Sequence, residues 1–159
     1  MNELNRLLQR LISADIEFVV VGGFAAVLHG SSALTRDLDV CAVLSPANIE
    51  KLRQAFAELH PVHRMTTQRW SFLEHPAPGV VLNNLYLQTD LGALDLLGAI
   101  TGVGDFEAVR QRAVEVDLLG HRVRVIGLDD LILAKETLAR PKDRMVALEL
   151  RALRDRKGD

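Results

Sequence analysis

Two aspartates one residue apart, Asp37 and Asp39, stand where Leu38, Val40 and Ala42 alternate with Asp37, Asp39 and Cys41. That alternation is a strand's. It puts both carboxylates on one face, where they can converge on a shared cation and where they repel each other without one. Ahead of them, with thirteen residues between, Gly22 and Gly23 end a short β-branched run from Phe18 to Val21. A glycine pair at a strand-to-helix turn removes two Cβ atoms, so backbone N–H groups can approach a phosphate. Magnesium prefers oxygen and is commonly held by one or two carboxylates together with substrate phosphates. Acid pair and glycine pair therefore point to a nucleoside triphosphate bound with Mg2+, or with Mn2+ in its place. Ser31 or Ser32 offers a further hydroxyl donor to the phosphates.

The elements that must position these groups follow from periodicity. Leu4, Leu7, Leu8, Leu11 and Ile12 predict an amphipathic helix over 2–14, and a second short helix runs from Phe24 to about His29. Gly30, Ser31 and Ser32 break it before the acidic strand. Ser45 and Pro46 open a third helix, continued by Ile49, Leu52, Phe56 and Leu59. Residues 60–79 read mostly as loop, with a short strand around Trp70 to Leu73. Strands over 82–88 and 93–97 join through a turn at 89–92, and a glycine-containing turn at 102–104 leads to a short helix over 106–112. A hairpin over 113–118 and 121–126 and two helices, one ending before Pro141 and one over 145–153, complete an α+β chain. One domain over 1–159 is expected, with 127–159 as its helical C-terminal segment.

With 48% apolar and 25% charged residues, the chain has the balance of an ordinary globular protein. Its net charge of -2 and pI near 6.2 exclude the broadly basic surface of a dedicated nucleic-acid binder, so any polyanion must be met locally. The basic excess at Arg140, Lys142, Arg144, Arg151, Arg154, Arg156 and Lys157 reads as a solvated helix face. A single cysteine, Cys41, excludes an internal disulfide and fits a reducing compartment, so a cytoplasmic location is expected. No apolar run approaches the ~18 residues of a membrane span, and no membrane partner is expected. His60, His63 and His75 lack zinc-ligand spacing.

The stretch from Gly22 to Val40 resembles the signature of the DNA polymerase beta-type nucleotidyltransferase superfamily: a glycine pair followed by Asp-x-Asp between apolar residues. More narrowly, His29-Gly30-Ser31 with Thr35-Arg36-Asp37-Leu38-Asp39 resembles minimal bacterial nucleotidyltransferases and the AbiEii-like toxin group. The likeness continues through Leu94-Asp95-Leu96-Leu97, Lys135 and Arg140-Pro141-Lys142-Asp143. It implies the nucleotidyltransferase fold, a mixed β-sheet flanked by helices. It also implies a metal-dependent transfer of a nucleoside monophosphate to a hydroxyl acceptor. Asp37 and Asp39 would hold metal, with a third carboxylate from a neighbouring strand.

Asp95 is the candidate for that third catalytic and metal-binding position, because an acid between Leu94 and Leu96 is costly to bury without compensation. Asp90, among Thr89, Leu91 and Gly92, reads as a turn residue and is the alternative. The expected nucleotide contacts are Gly22, Gly23, Ser31, Arg36 and Lys135, the lysine either reaching the triphosphate or snorkelling from the core edge. Ala33 stands where many relatives carry an arginine. The toxin group implies RNA, tRNA above all, as acceptor and an antitoxin protein as partner. The alternative is a nucleotide-binding or protein-interaction module that keeps the fold without transfer.

Overall fold

Asn2 opens the first helix by accepting from the Asn5 N–H at 2.8 Å, and Leu4, Leu7, Leu8 and Leu11 bury one stripe of it. This helix is α1 (Glu3–Ser13) in a computed structural model that describes residues 1–157. Three valines form β1 (Val19–Val21), which turns directly into α2 (Gly22–Leu28). The acidic strand is β2 (Leu38–Cys41). Ser45 accepts from the Asn48 N–H at 3.2 Å and Pro46 fills the first turn of α3 (Pro46–Phe56), which tightens into a 3-10 turn at Ala57–Leu59.

β3 (Val62–His63) and β4 (Asn84–Thr89) flank the long loop, and Thr89 and Gly92 close the turn into β5 (Gly92–Leu97). A small ribbon, β6 (Ala99–Ile100) with β7 (Gly104–Asp105), precedes α4 (Phe106–Gln111), capped by Asp105 on the Ala108 N–H at 3.0 Å. The hairpin β8 (Val114–Leu118) and β9 (His121–Val125) and the helices α5 (Leu128–Leu138) and α6 (Pro141–Lys157) follow.

Seven strands form one mixed sheet in the order β3-β4-β5-β2-β1-β9-β8. The β2–β5 and β1–β9 pairs are parallel and the remaining neighbours antiparallel. Register decides the site. Val21 pairs with Asp39, Asp39 with Asp95, and Asp95 with Tyr86, so these four side chains form one row across the sheet. The neighbouring row, Val20, Val40, Leu96 and Leu85, points the other way and is buried. α1 packs against α3, β2 and β5. Leu7, Leu8, Leu11, Leu52 and Phe56 are fully covered there, each worth roughly 1.5–3 kcal/mol of transfer free energy. The polar row is thus carried on a sheet whose opposite face is the main core.

The sequence reading places most elements within a residue or two. It errs between 60 and 79, where the strand expected around Trp70 to Leu73 is a single bridge from Ser71 to Val62. The segment is organised instead by tertiary contacts. Phe72 is fully buried, and Arg53 of α3 donates to the carbonyls of Phe72, at 2.8 Å, and of Pro76. The last helix also begins at Pro141 rather than near Met145. No helix among the described residues is long and apolar enough to cross a membrane.

Candidate nucleotide site

A cleft of about 380 Å³ opens over the polar row, its floor formed by Val21, Gly22, Asp39, Asp95 and Tyr86. Its other wall is α5, which presents Leu131, Ala134, Lys135 and Leu138. Gly22 sits at φ +66°, and a Cβ built there would overlap Asp39 Oδ2. The first glycine is therefore required by the approach of the acid itself. A Cβ on Gly23 would come within 3.1 Å of Thr35 Oγ1, so the second glycine lets the loop before β2 lie against α2.

Asp39 is half-buried, and its carboxyl is pushed up to about 6 from an ordinary 3.8. Burial is the main cause, followed by the negative charges of Asp95 and then Asp37, with Lys135 and Arg64 pulling the other way. Asp37 lies just outside β2 and is exposed. The positive charge of Lys135 and Arg64 does not offset the burial and like charges acting on Asp39, and the hard oxygen donors of the pair fit a divalent cation.

Asp95 is differently placed. Both its oxygens accept from Arg64, Nη1 to Oδ1 at 2.5 Å and Nη2 to Oδ2 at 3.0 Å. Among the described residues, no three His, Cys, Asp or Glu side chains form a group that could hold a metal ion.

Lys135 is buried on the α5 wall, with Nζ 3.5 Å from Oδ1 of the fully buried Asp143. Asp143 also accepts from Arg140, Nε at 2.6 Å and Nη2 at 3.3 Å, and the arginine pair leads the causes holding its carboxyl below the usual range. Lys135 thus has a fixed anchor and lines the cleft, as does Arg140.

The structure brings Gly22, Asp39, Asp95 and Lys135 into the lining of one cleft and leaves Gly23 and Asp37, beside Gly22 and Asp39 along the chain, outside it. Ser31 and Arg36 are not in its lining. The Ser31 hydroxyl donates to Glu149 Oε1 of α6 at 2.5 Å, and Ser32 donates to the same carboxylate through its N–H at 3.1 Å and its hydroxyl at 2.7 Å. Arg36 lies by Asn2, Glu3 and Leu4 at a separate surface hollow. Asp90 accepts from His60 Nδ1 at 2.6 Å in the β4–β5 turn, at the far end of β5 from Leu97. His29 Nε2 donates to the Ile126 carbonyl at 2.7 Å, a structural contact. Sequence reasoning missed Arg64 altogether. Nothing local marks it, since its partner is set only when β3 pairs with β4.

A mixed sheet flanked by helices, with Asp-x-Asp at the start of an inner strand, a third acid on its parallel neighbour and a glycine turn beside them, defines a nucleotidyltransferase fold. Among solved structures it is similar to the lincosamide antibiotic adenylyltransferase LnuA bound to lincomycin, with TM-score 0.62 and 17% identity over 95% of this chain and 96% of that one. It is also similar to a candidate nucleotidyltransferase from Thermotoga maritima, with TM-score 0.56 and 16% identity over 92% and 88% of the two chains. The antibiotic-resistance factor ANT(2'')-Ia matches with TM-score 0.53 and 16% identity, over 92% and 80%. At these identities the likeness is one of fold. Comparison with curated proteins by sequence gives no match. The family model described as nucleotidyl transferase of unknown function (DUF2204) matches residues 1–157, and the chain belongs to that family.

Proposed function

We propose that this chain transfers a nucleoside monophosphate from a nucleoside triphosphate to a hydroxyl acceptor, with Asp37 and Asp39 holding Mg2+ or Mn2+. The observation that carries the reading is the in-register pair Asp39 and Asp95, facing the buried Lys135 across one cleft. When bound, the cation neutralises triphosphate charge and makes the attacking hydroxyl easier to deprotonate. The residues of the chain do the rest. Lys135, anchored by Asp143, meets the phosphates from the α5 wall, and the bare backbone at Gly22 and Gly23 admits them beside Asp39. Asp95 is the third carboxylate, on the acceptor side, where Tyr86 and Asn84 continue the cleft. Phosphoryl chemistry of this kind asks mainly for positioning and charge, which this arrangement supplies.

The acceptor class is the finer part of the proposal. Resemblance to the AbiEii-like toxin group favours RNA, tRNA in particular, and with it an antitoxin partner. The fold likeness to LnuA, bound to lincomycin, adds small hydroxylated molecules. The test is incubation with each of the four α-labelled triphosphates and Mg2+, in the presence of total RNA or of a small-molecule extract. Label should pass to one pool with release of pyrophosphate, and Asp37→Asn and Asp39→Asn should abolish it. Binding of triphosphate without transfer to any pool would select the rival reading, a nucleotide-binding or interaction module. That reading draws on the engagement of both Asp95 oxygens by Arg64.

A further inference from the structure

Arg64 is built into its place. Its N–H donates to the Tyr86 carbonyl at 3.0 Å, extending the β3–β4 pairing, and its guanidinium carbon lies 5.8 Å from the centre of the Tyr86 ring. Nη1 also donates to the Leu87 carbonyl at 3.4 Å. From that position the planar fork meets both oxygens of Asp95, and the two side chains are only 26% and 20% exposed. The residue that follows Tyr86, Asp95 and Asp39 across the sheet is apolar Val21, so no second fixed cation stands in the row itself.

We infer that Arg64 is the resident counter-cation of Asp95, occupying the place a second metal ion would take, so that this site holds one divalent ion, at Asp37 and Asp39. The inference rests on the transferase reading above and refines it. Two charge requirements of the site are then met by different means. Among the described residues no cation is paired directly with Asp37 or Asp39, whereas Asp95 is neutralised by Arg64 before any substrate arrives. A carboxylate has about four lone-pair directions, of which the guanidinium fork takes two. The remaining two leave Asp95 free to accept a hydrogen bond from an acceptor hydroxyl and orient it. Arg64 acts through Asp95 and is a positioning residue.

The test counts ions. Titrating Mn2+ alone into the full chain at pH 8, by calorimetry and by electron paramagnetic resonance, should give one ion per chain with an uncoupled spectrum. Arg64→Gln should expose Asp95 and raise the count to two, with dipolar broadening from a neighbouring pair. Adding Asp95→Asn to that variant should return the count to one. Arg64→Met, which keeps an unbranched stem against Tyr86, repeats the test if the glutamine variant does not fold by circular dichroism. Two coupled ions in the wild type would overturn the inference and leave the transferase proposal standing. One ion in folded Arg64→Gln and Arg64→Met would overturn it as well. A wild type that binds neither Mn2+ nor a triphosphate would overturn both.

Discussion

Replacing Asp39 with asparagine should make the metal-free protein more stable at neutral pH. The wild-type carboxyl sits at about 6 in the folded chain against an ordinary 3.8, because burial and the charges of Asp95 and Asp37 disfavour its ionised form. A raised folded-state pKa means that the folded protein holds its proton more tightly than the unfolded chain. The stabilising contribution is complete below about pH 4 and is lost as pH rises through about 6. A shift of this size corresponds to about 3 kcal/mol at pH 8, which salt and solvent at a half-buried group trim to about 2–3 kcal/mol. Asparagine keeps the shape and carries no charge, so Asp39→Asn should match the wild type at pH 4 and exceed it by that amount at pH 8. Urea unfolding in chelator, measured for both proteins from pH 4 to pH 8, reads the difference directly and cancels every group the two share. Adding Mg2+ should restore more stability to the wild type than to the variant. Parallel stability curves across that range would refute the argument that Asp39 is held against its own charge.

Two further outcomes follow from the geometry. Gly22→Ala should destabilise the fold by on the order of 1–3 kcal/mol, since it combines a strained φ of +66° with overlap on Asp39 Oδ2, and should weaken Mn2+ binding. Unchanged unfolding and unchanged Mn2+ affinity would remove the close approach from the account. Lys135→Ala should lower triphosphate affinity about tenfold, the loss of one charge-assisted contact, while circular dichroism stays native because alanine suits a helix. Equal affinity in calorimetry would leave Lys135 only its contact with Asp143.

What the sequence discloses is what strand and helix periodicity encode. Leu38, Val40, Leu94 and Leu96 read as buried faces, so Asp37, Asp39 and Asp95 stand out as acids on strands, and the resemblance then joins them. Their lateral pairing, Asp39 beside Asp95, is a property of the parallel β2–β5 register and of nothing local. The same holds for Arg64, which lies in the segment least legible by pattern. Its position depends on a two-residue strand and on a loop pinned by Arg53. Ser31 reads as a phosphate donor because it offers a hydroxyl between the glycine pair and the acids, but the partner it finds in the structure, Glu149, is 118 positions away.

That partner bears on the order in which the molecule is made. The loop carrying Asp37 is laid down early in synthesis, but its three hydrogen bonds to Glu149 must wait for α6, the last helix of the described chain. Loop closure over so long a stretch comes late, after the local strand and helix contacts have formed. A nascent chain can therefore own most of its core and its acidic strand before the loop beside them has an anchor. Cleavage within α6 ahead of Glu149 would act in the same direction on the finished protein, freeing the loop of its anchor and withdrawing Leu150, the residue that this part of α6 buries in the core.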